Sequence, residues 1–176
     1  MALIDFIIKA KISGYASGGE GQERKFDDGS LRFELMADGY RYLERYYGFN
    51  PFAGTEYIYD VNDSLIWIMN YYGEALPAHS DPKKIYSFLR EAMSSITPAY
   101  PFRGSGKLEK DNLQYENIQN GTLDSFHGVE SIILSTNIAV FMVILPAYWG
   151  FYHQAKASDS IHLKNVPYVV QKERLD

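Results

Sequence analysis

Cysteine is absent from all 176 residues. Disulfides, thiolate nucleophiles and cysteine-based zinc sites are excluded together, and the absence fits a reducing compartment. Basic runs are missing too. No stretch of Lys or Arg exceeds two residues and the net charge is −5, so the charge that neutralises phosphates is lacking and direct nucleic-acid binding is not expected. The opening MALIDFIIKAK is too short an apolar run for a signal peptide and has no basic n-region or cleavage site. A cytoplasmic, bacterial-type setting follows as the expectation, and Asn62-Asp63-Ser64 and Asn120-Gly121-Thr122 are read as turns, not glycosylation sites.

Long uncharged runs are scarce. The exception, Ser131 to Tyr152, has 22 residues without Asp, Glu, Lys or Arg, close to the length that spans a bilayer. Ser135-Thr136-Asn137 and Pro146 divide it into strand-length pieces rich in β-branched residues. Two buried strands are therefore preferred over a membrane segment.

What is present is an ordinary globular balance, 46% hydrophobic and 22% charged, which suits one domain able to bury its own core. Aromatic content reaches 15%, with 15 tyrosines. Tyrosine pairs an apolar ring with a polar tip and suits half-buried sheets, pocket walls and interfaces.

The sequence also repeats itself. Gly54, Glu56, Ile58, Ile66 and Trp67 fall on Gly128, Glu130, Ile132, Val140 and Phe141, each pair 74 positions apart. Leu3, Phe6, Ile7 and Ala10 lie at helical spacing before Gly14, and Ile85, Phe88, Leu89, Ala92 and Met93 repeat that face 82 positions on, behind an Asp81 N-cap and Pro82. Strands are expected at Leu31–Met36, Tyr40–Tyr47 (with Arg41, Leu43, Arg45 and Tyr47 on one face), Thr55–Tyr59, Leu65–Tyr72 and Leu113–Ile118. Tyr115 answers Tyr42, and Phe126 answers Phe52. Residues 14–30 and 98–106 read as loops.

The expected fold is α+β: a duplicated helix–β-β-β unit, with two helices packed on a curved antiparallel sheet or half-barrel. A duplicated strand–helix–strand–strand module would relabel the same elements circularly. Residues 1–152 form the domain, with pseudo-repeats at about 3–75 and 83–152. Residues 153–176 form a tail, either mobile or an edge strand through Tyr168-Val169-Val170.

Four segments resemble the signatures of a bacterial domain family of unknown function: Tyr15 to Gly21 (YASGGEG), Arg45 to Gly54 (RYYGFNPFAG), Trp67 to Gly73 and Pro101 to Gly104 (PFRG). The family occurs alone or following a helix-turn-helix DNA-binding domain in regulators. The resemblance spans about residues 3–150 and implies an effector- or partner-binding module; it transfers no catalytic residue. This chain lacks the helix-turn-helix segment, and its last strands are more apolar than the family pattern.

Catalytic motifs fail one by one. Arg103-Gly104-Ser105-Gly106-Lys107 ends like a phosphate-binding loop, but Pro101 replaces the first glycine and Leu108 the magnesium-binding Ser/Thr. Gly18-Gly19-Glu20-Gly21 lacks the strand–turn–helix setting of a dinucleotide site. The four histidines show no metal-binding spacing, and His79 beside Asp81 belongs to a helix-capping loop. No serine occupies a nucleophile elbow. Glu56 and Glu130 fit a paired acid/base site or, better, a shared structural acceptor. No metal and no cofactor is implied.

Asymmetry between the halves is the better guide. The first keeps Trp67, Asn70 and Tyr72 beside a strand bearing Arg45 and Tyr47, whereas the second is nearly all aliphatic. Aromatic walls with a few convergent polar groups describe a small-molecule pocket. The candidate ligand-binding residues are Glu20, Arg45, Tyr47, Asn50, Trp67, Asn70, Tyr72 and Arg103, for a small polar or anionic ligand. The bland alternative pairs Arg45 with Glu44 or Glu56 on a wet sheet face. Ligand sensing is the preferred function. A homodimer or interaction module through residues 131–145 comes next, and a small enzyme using Glu20, Glu56 and Arg45 last.

Overall fold

Two amphipathic segments organise the molecule. The computed structural model describes residues 1–17, 23–76, 81–134, 139–143 and 154–157. Helix α1 (Leu3–Ser13) buries Phe6, Ile7 and Ala10 and ends at Gly14, whose N–H donates to the Ala10 carbonyl at 3.0 Å. Helix α2 (Pro82–Ser94) starts at Asp81, whose carboxylate accepts the Lys83 N–H at 3.0 Å. That bond satisfies one of the orphan donors of the first turn. Its buried face is Ile85, Phe88, Leu89, Ala92 and Met93, together with Tyr86.

The fold mixes these two helices with two antiparallel sheets. The first sheet has five strands: β1 (Arg24–Lys25), β2 (Leu31–Ala37), β3 (Tyr40–Gly48), β4 (Phe52–Tyr59) and β5 (Leu65–Ala75). The second has three: β6 (Lys107–Lys110), β7 (Leu113–Gly121) and β8 (Ser125–Leu134). Two further strands, β9 (Ala139–Val143) and β10 (Gln154–Ala157), each pair with both β5 and β8 and join the sheets by hydrogen bonds.

Among the described residues α1 is followed by five strands, β1 to β5, and α2 by five, β6 to β10, where three were expected in each repeat. One extra strand in the second half is β6, and its sequence explains why it was not foreseen. Lys107-Leu108-Glu109-Lys110 has one apolar residue and three exposed ones, so it carries no alternation. β10 lies between β5 and β8 in a stretch with no strand pattern of its own. Tyr168 to Val170 lies outside the described residues.

The registers of the halves correspond. Tyr42 pairs with Ile58, Glu44 with Glu56 and Tyr46 with Gly54; Tyr115 pairs with Ile132, Asn117 with Glu130 and Gln119 with Gly128. Both outgoing strands slip register at the same point, between Ile58 and Tyr59 and between Ile132 and Ile133. Gly48 and Gly121 adopt φ of +79° and +113° at matching turns. A Cβ on either would come within 2.3 Å of the Pro51 carbonyl oxygen or 2.2 Å of the Ser125 one, so no other residue fits.

The core has two clusters. One gathers Phe6, Ile7 and Ala10 of α1 on Phe33, Tyr42, Ile58, Trp67 and Met69. The other gathers the α2 face on Ala75, Leu113, Tyr115 and Ile132. Phe102 and Phe126 stack with centroids 3.4 Å apart and pack into the first cluster. Among the described residues no helix is long and apolar enough to cross a membrane. The described parts of the uncharged run belong to β8 and β9.

Candidate functional site

Among the described residues, five acidic or basic side chains are buried on the inner face: Lys11, Glu44, Glu56, Arg103 and Glu130, none more than 7% exposed. Each carboxylate of the repeated Gly-x-Glu motif is matched to a cation. Glu56 on β4 forms an ion pair with Lys11 of α1. Glu130 on β8 accepts from Arg103 Nε at 2.8 Å and from the Tyr115 hydroxyl at 2.5 Å. Both carboxylates therefore serve as acceptors for the fold. Burial pulls the Lys11 amine below its ordinary range, and the charge of Glu56 only partly restores it. Burial also pulls on Arg103, but the Glu130 charge and hydrogen bond outweigh it and hold the guanidinium above its usual value.

The segment carrying Arg103 is pinned to β7. The Gly104 N–H donates to the Tyr115 hydroxyl at 3.2 Å, and Asn117 Nδ2 donates to the Gly104 carbonyl at 3.0 Å. A Cβ at position 104 would lie 2.5 Å from that hydroxyl and 2.9 Å from the Ala92 carbonyl. The Arg-Gly pair of the PFRG segment is thus an anchor built for close approach.

Glu44 is the exception among the carboxylates. It faces Glu56 across the β3–β4 ladder, and its hydrogen bond comes from the Tyr71 hydroxyl at 2.5 Å. Tyr71 reaches it because its cross-strand neighbour is Gly54, where a Cβ would sit 2.3 Å from the Tyr71 ring. Burial, and next the Glu56 charge, raise the Glu44 carboxyl to about 7 against the partial offset of the Tyr71 bond.

Glu44 lies in the wall of a cavity of about 240 Å³ between the first sheet and α2. Six aromatic rings line it: Tyr15, Tyr46, Phe49, Phe52, Tyr71 and Tyr86. The Phe49 ring meets Tyr86 edge-on at 5.0 Å, and Phe52 does so at 5.7 Å. Asn50 fixes Tyr86 from behind: its Oδ1 accepts from the Tyr86 hydroxyl at 2.6 Å and from the Ala75 N–H at 2.7 Å. Burial pushes the Tyr86 phenol up to about 12. On the α2 side Arg90 lies 5.0 Å over the Tyr15 ring, and Arg103 closes the floor.

Of the residues expected at a pocket, Arg103 lines this cavity and Asn50 stands one contact behind it. Arg45 and Tyr47 share the opposite face of β3, where Arg45 pairs with Asp28, not with Glu44 or Glu56. Asn70 and Tyr72 sit on the outward face of β5, with Asn70 accepting from Thr55 at 2.8 Å. Trp67 is fully buried in the α1 core and donates its indole N–H to the Leu123 carbonyl at 3.2 Å. Glu20 lies outside the described residues, as does His79. Sequence reasoning missed Glu44, Tyr46, Tyr71 and Tyr86. The available signal is strand parity: Glu44 neighbours Arg45 on β3, and Tyr71 lies between Asn70 and Tyr72 on β5. Among the described residues no cluster of three His, Asp or Glu could hold a metal ion.

Residues 44–146 match the model of the family described as a domain of unknown function, DUF5680, and the chain belongs to that family. The matched span holds Glu44, Tyr71, α2 and Arg103, whereas Lys11, Tyr15, Glu23 and Leu31 precede it. No curated protein and no solved structure matches the chain.

Proposed function

We propose that the protein is a small-molecule-binding module whose ligand occupies the cavity between the first sheet and α2. The observation that carries this reading is the wall itself. Five further aromatic rings line the cavity beside a buried carboxyl–phenol pair, Glu44 and Tyr71. Convergent polar groups in an apolar, concave setting are the usual composition of a ligand site, and a carboxyl displaced toward neutrality marks such sites. At about 240 Å³ the cavity is smaller than drug-sized pockets, so the ligand is compact. The resemblance to domains that accompany helix-turn-helix regulators fits an effector-binding role. Thermal-shift screening of small metabolites tests it. A genuine ligand stabilises the wild type and loses its effect in Leu31→Trp, which fills the rim; equal stabilisation of both proteins would overturn the assignment.

The halves are further proposed to descend from one duplicated helix–strand unit. Support comes from the matched registers, the paired slips after Ile58 and Ile132, and the paired glycines at 48 and 121. Self-alignment of a broad set of DUF5680 sequences should show a peak near an offset of 74. A flat profile would count against duplication.

A further inference from the structure

We propose that the cavity selects a compact organic cation, a protonated amine or amidine on an apolar body, with its positive charge against Glu44 and its body among Tyr46, Phe49, Phe52, Tyr71 and Tyr86. This rests on the small-molecule reading above and adds the sign of the ligand's charge.

Among the described residues, carboxylates outnumber cations in the buried cluster. Lys11 is committed to Glu56 and Arg103 to Glu130, both pairs almost wholly shielded from water. Glu44 is the third carboxylate, and the hydrogen bond it receives comes from a neutral phenol. A buried charge without a partner is costly. The cluster is therefore balanced by one more positive charge, delivered either as a proton on Glu44 or as a cation in the cavity that Glu44 borders.

The remaining wall favours the same sign. Aromatic faces attract cations through their quadrupoles, more strongly where water is excluded. Of the other charged residues of the wall, Glu23 and Arg90 oppose each other in sign, and Arg103, 4.9 Å over the Tyr71 ring, is paired with Glu130. The Arg90 guanidinium lies over the Tyr15 ring, and the Tyr46 hydroxyl is hydrogen-bonded to Glu23. An anion would meet Glu44 across a dry wall, with the Arg103 Nε already bonded to Glu130.

Protonation and cation binding compete for the same carboxyl, so affinity depends on pH. The groups that bear on Glu44 are Glu56 from β4, Tyr71 from β5, Lys11 from α1 and Arg103 from the segment before β6, with Tyr42 and Tyr46 on its own strand. The Glu44 carboxyl itself is raised to about 7. Cation affinity is full above its titration and falls by about ten-fold for each pH unit below it.

The test uses three probes of similar shape and different charge: benzylamine, benzyl alcohol and benzoate, titrated by calorimetry into the full chain. At about pH 8 benzylamine should bind at least about ten-fold more tightly than benzyl alcohol, and benzoate should not bind. Glu44→Gln should erase that preference and keep benzyl alcohol, while Tyr71→Phe, which leaves the carboxylate in place, should retain it. Lowering the pH to about 6 should weaken benzylamine but not benzyl alcohol. Equal binding of benzylamine and benzyl alcohol, or a preference that survives in Glu44→Gln, overturns the cation assignment and leaves the cavity standing. Silence from all three probes overturns the cavity reading itself. Should Glu44→Gln fail to fold, the wild-type pH series decides: a preference that does not change with pH overturns the proposal.

Discussion

Glu44 sets a pH dependence whose sign follows from its surroundings. Its folded-state carboxyl is raised to about 7 from 4.5, so the folded chain holds the proton more tightly than the unfolded one. The stabilisation is complete below about pH 4.5 and is lost as pH rises through about 7. Denaturant unfolding between about pH 5 and 9 should show the wild type losing roughly 3 kcal/mol that Glu44→Gln does not lose. Lys11 offers a second check. Lys11→Met leaves Glu56 buried without its cation and should cost about 3–5 kcal/mol, most of it recovered in Lys11→Met/Glu56→Leu. Lys11 was legible in principle, because it lies one turn beyond Ile7 on the stripe that begins at Leu3. A lysine there signals a buried partner. The direction of β3 was not legible in the same way. Alternation fixes that Arg45 and Tyr47 share a face, and Glu44 and Tyr46 the other, but both faces carry tyrosine and charge. Nothing local says which one meets the helices.

At the level of elements, caps and turns carried most of the readable signal. Asp81 and Pro82 placed the start of α2, and Asp81→Ala should lower stability by about 1 kcal/mol in thermal unfolding. The hairpins were readable from the period of two in β3, β4 and β7. β6 and β10 were not, since their pairing is imposed by neighbours and not by their own pattern. Gly54 shows how an element is shaped by an empty position. Gly54→Ala should push the Tyr71 ring off Glu44 and destabilise by about 1–3 kcal/mol through overpacking. A Gly54→Ala/Tyr71→Ala double variant should be less destabilised than the sum of its parts. Simple additivity would mean that the glycine serves something other than this ring.

On the scale of the whole molecule, the two sheets are joined by β9 and β10, each paired with both β5 and β8. β10 pairs with Trp67 to Asn70 of β5 on one side and with Ser125 and Phe126 of β8 on the other. Removing residues 154–176 should uncover both ladders, lower the melting temperature and promote association, since unpaired strand edges recruit other chains. Size-exclusion chromatography that found an unchanged monomer-to-oligomer profile would argue that the sheets meet mainly through β9 and the Phe102–Phe126 stack. That seam also holds Trp67, with rings of Phe102 and Phe126 at 6.5 and 6.4 Å and Lys11 Nζ 5.9 Å away. An indole so enclosed, with its N–H bonded to a backbone carbonyl, emits at short wavelength and is a native optical reporter. In a Trp149→Phe background its red shift on unfolding would time the opening of the α1 core. The tyrosines around α2 would time the other core by their own absorbance.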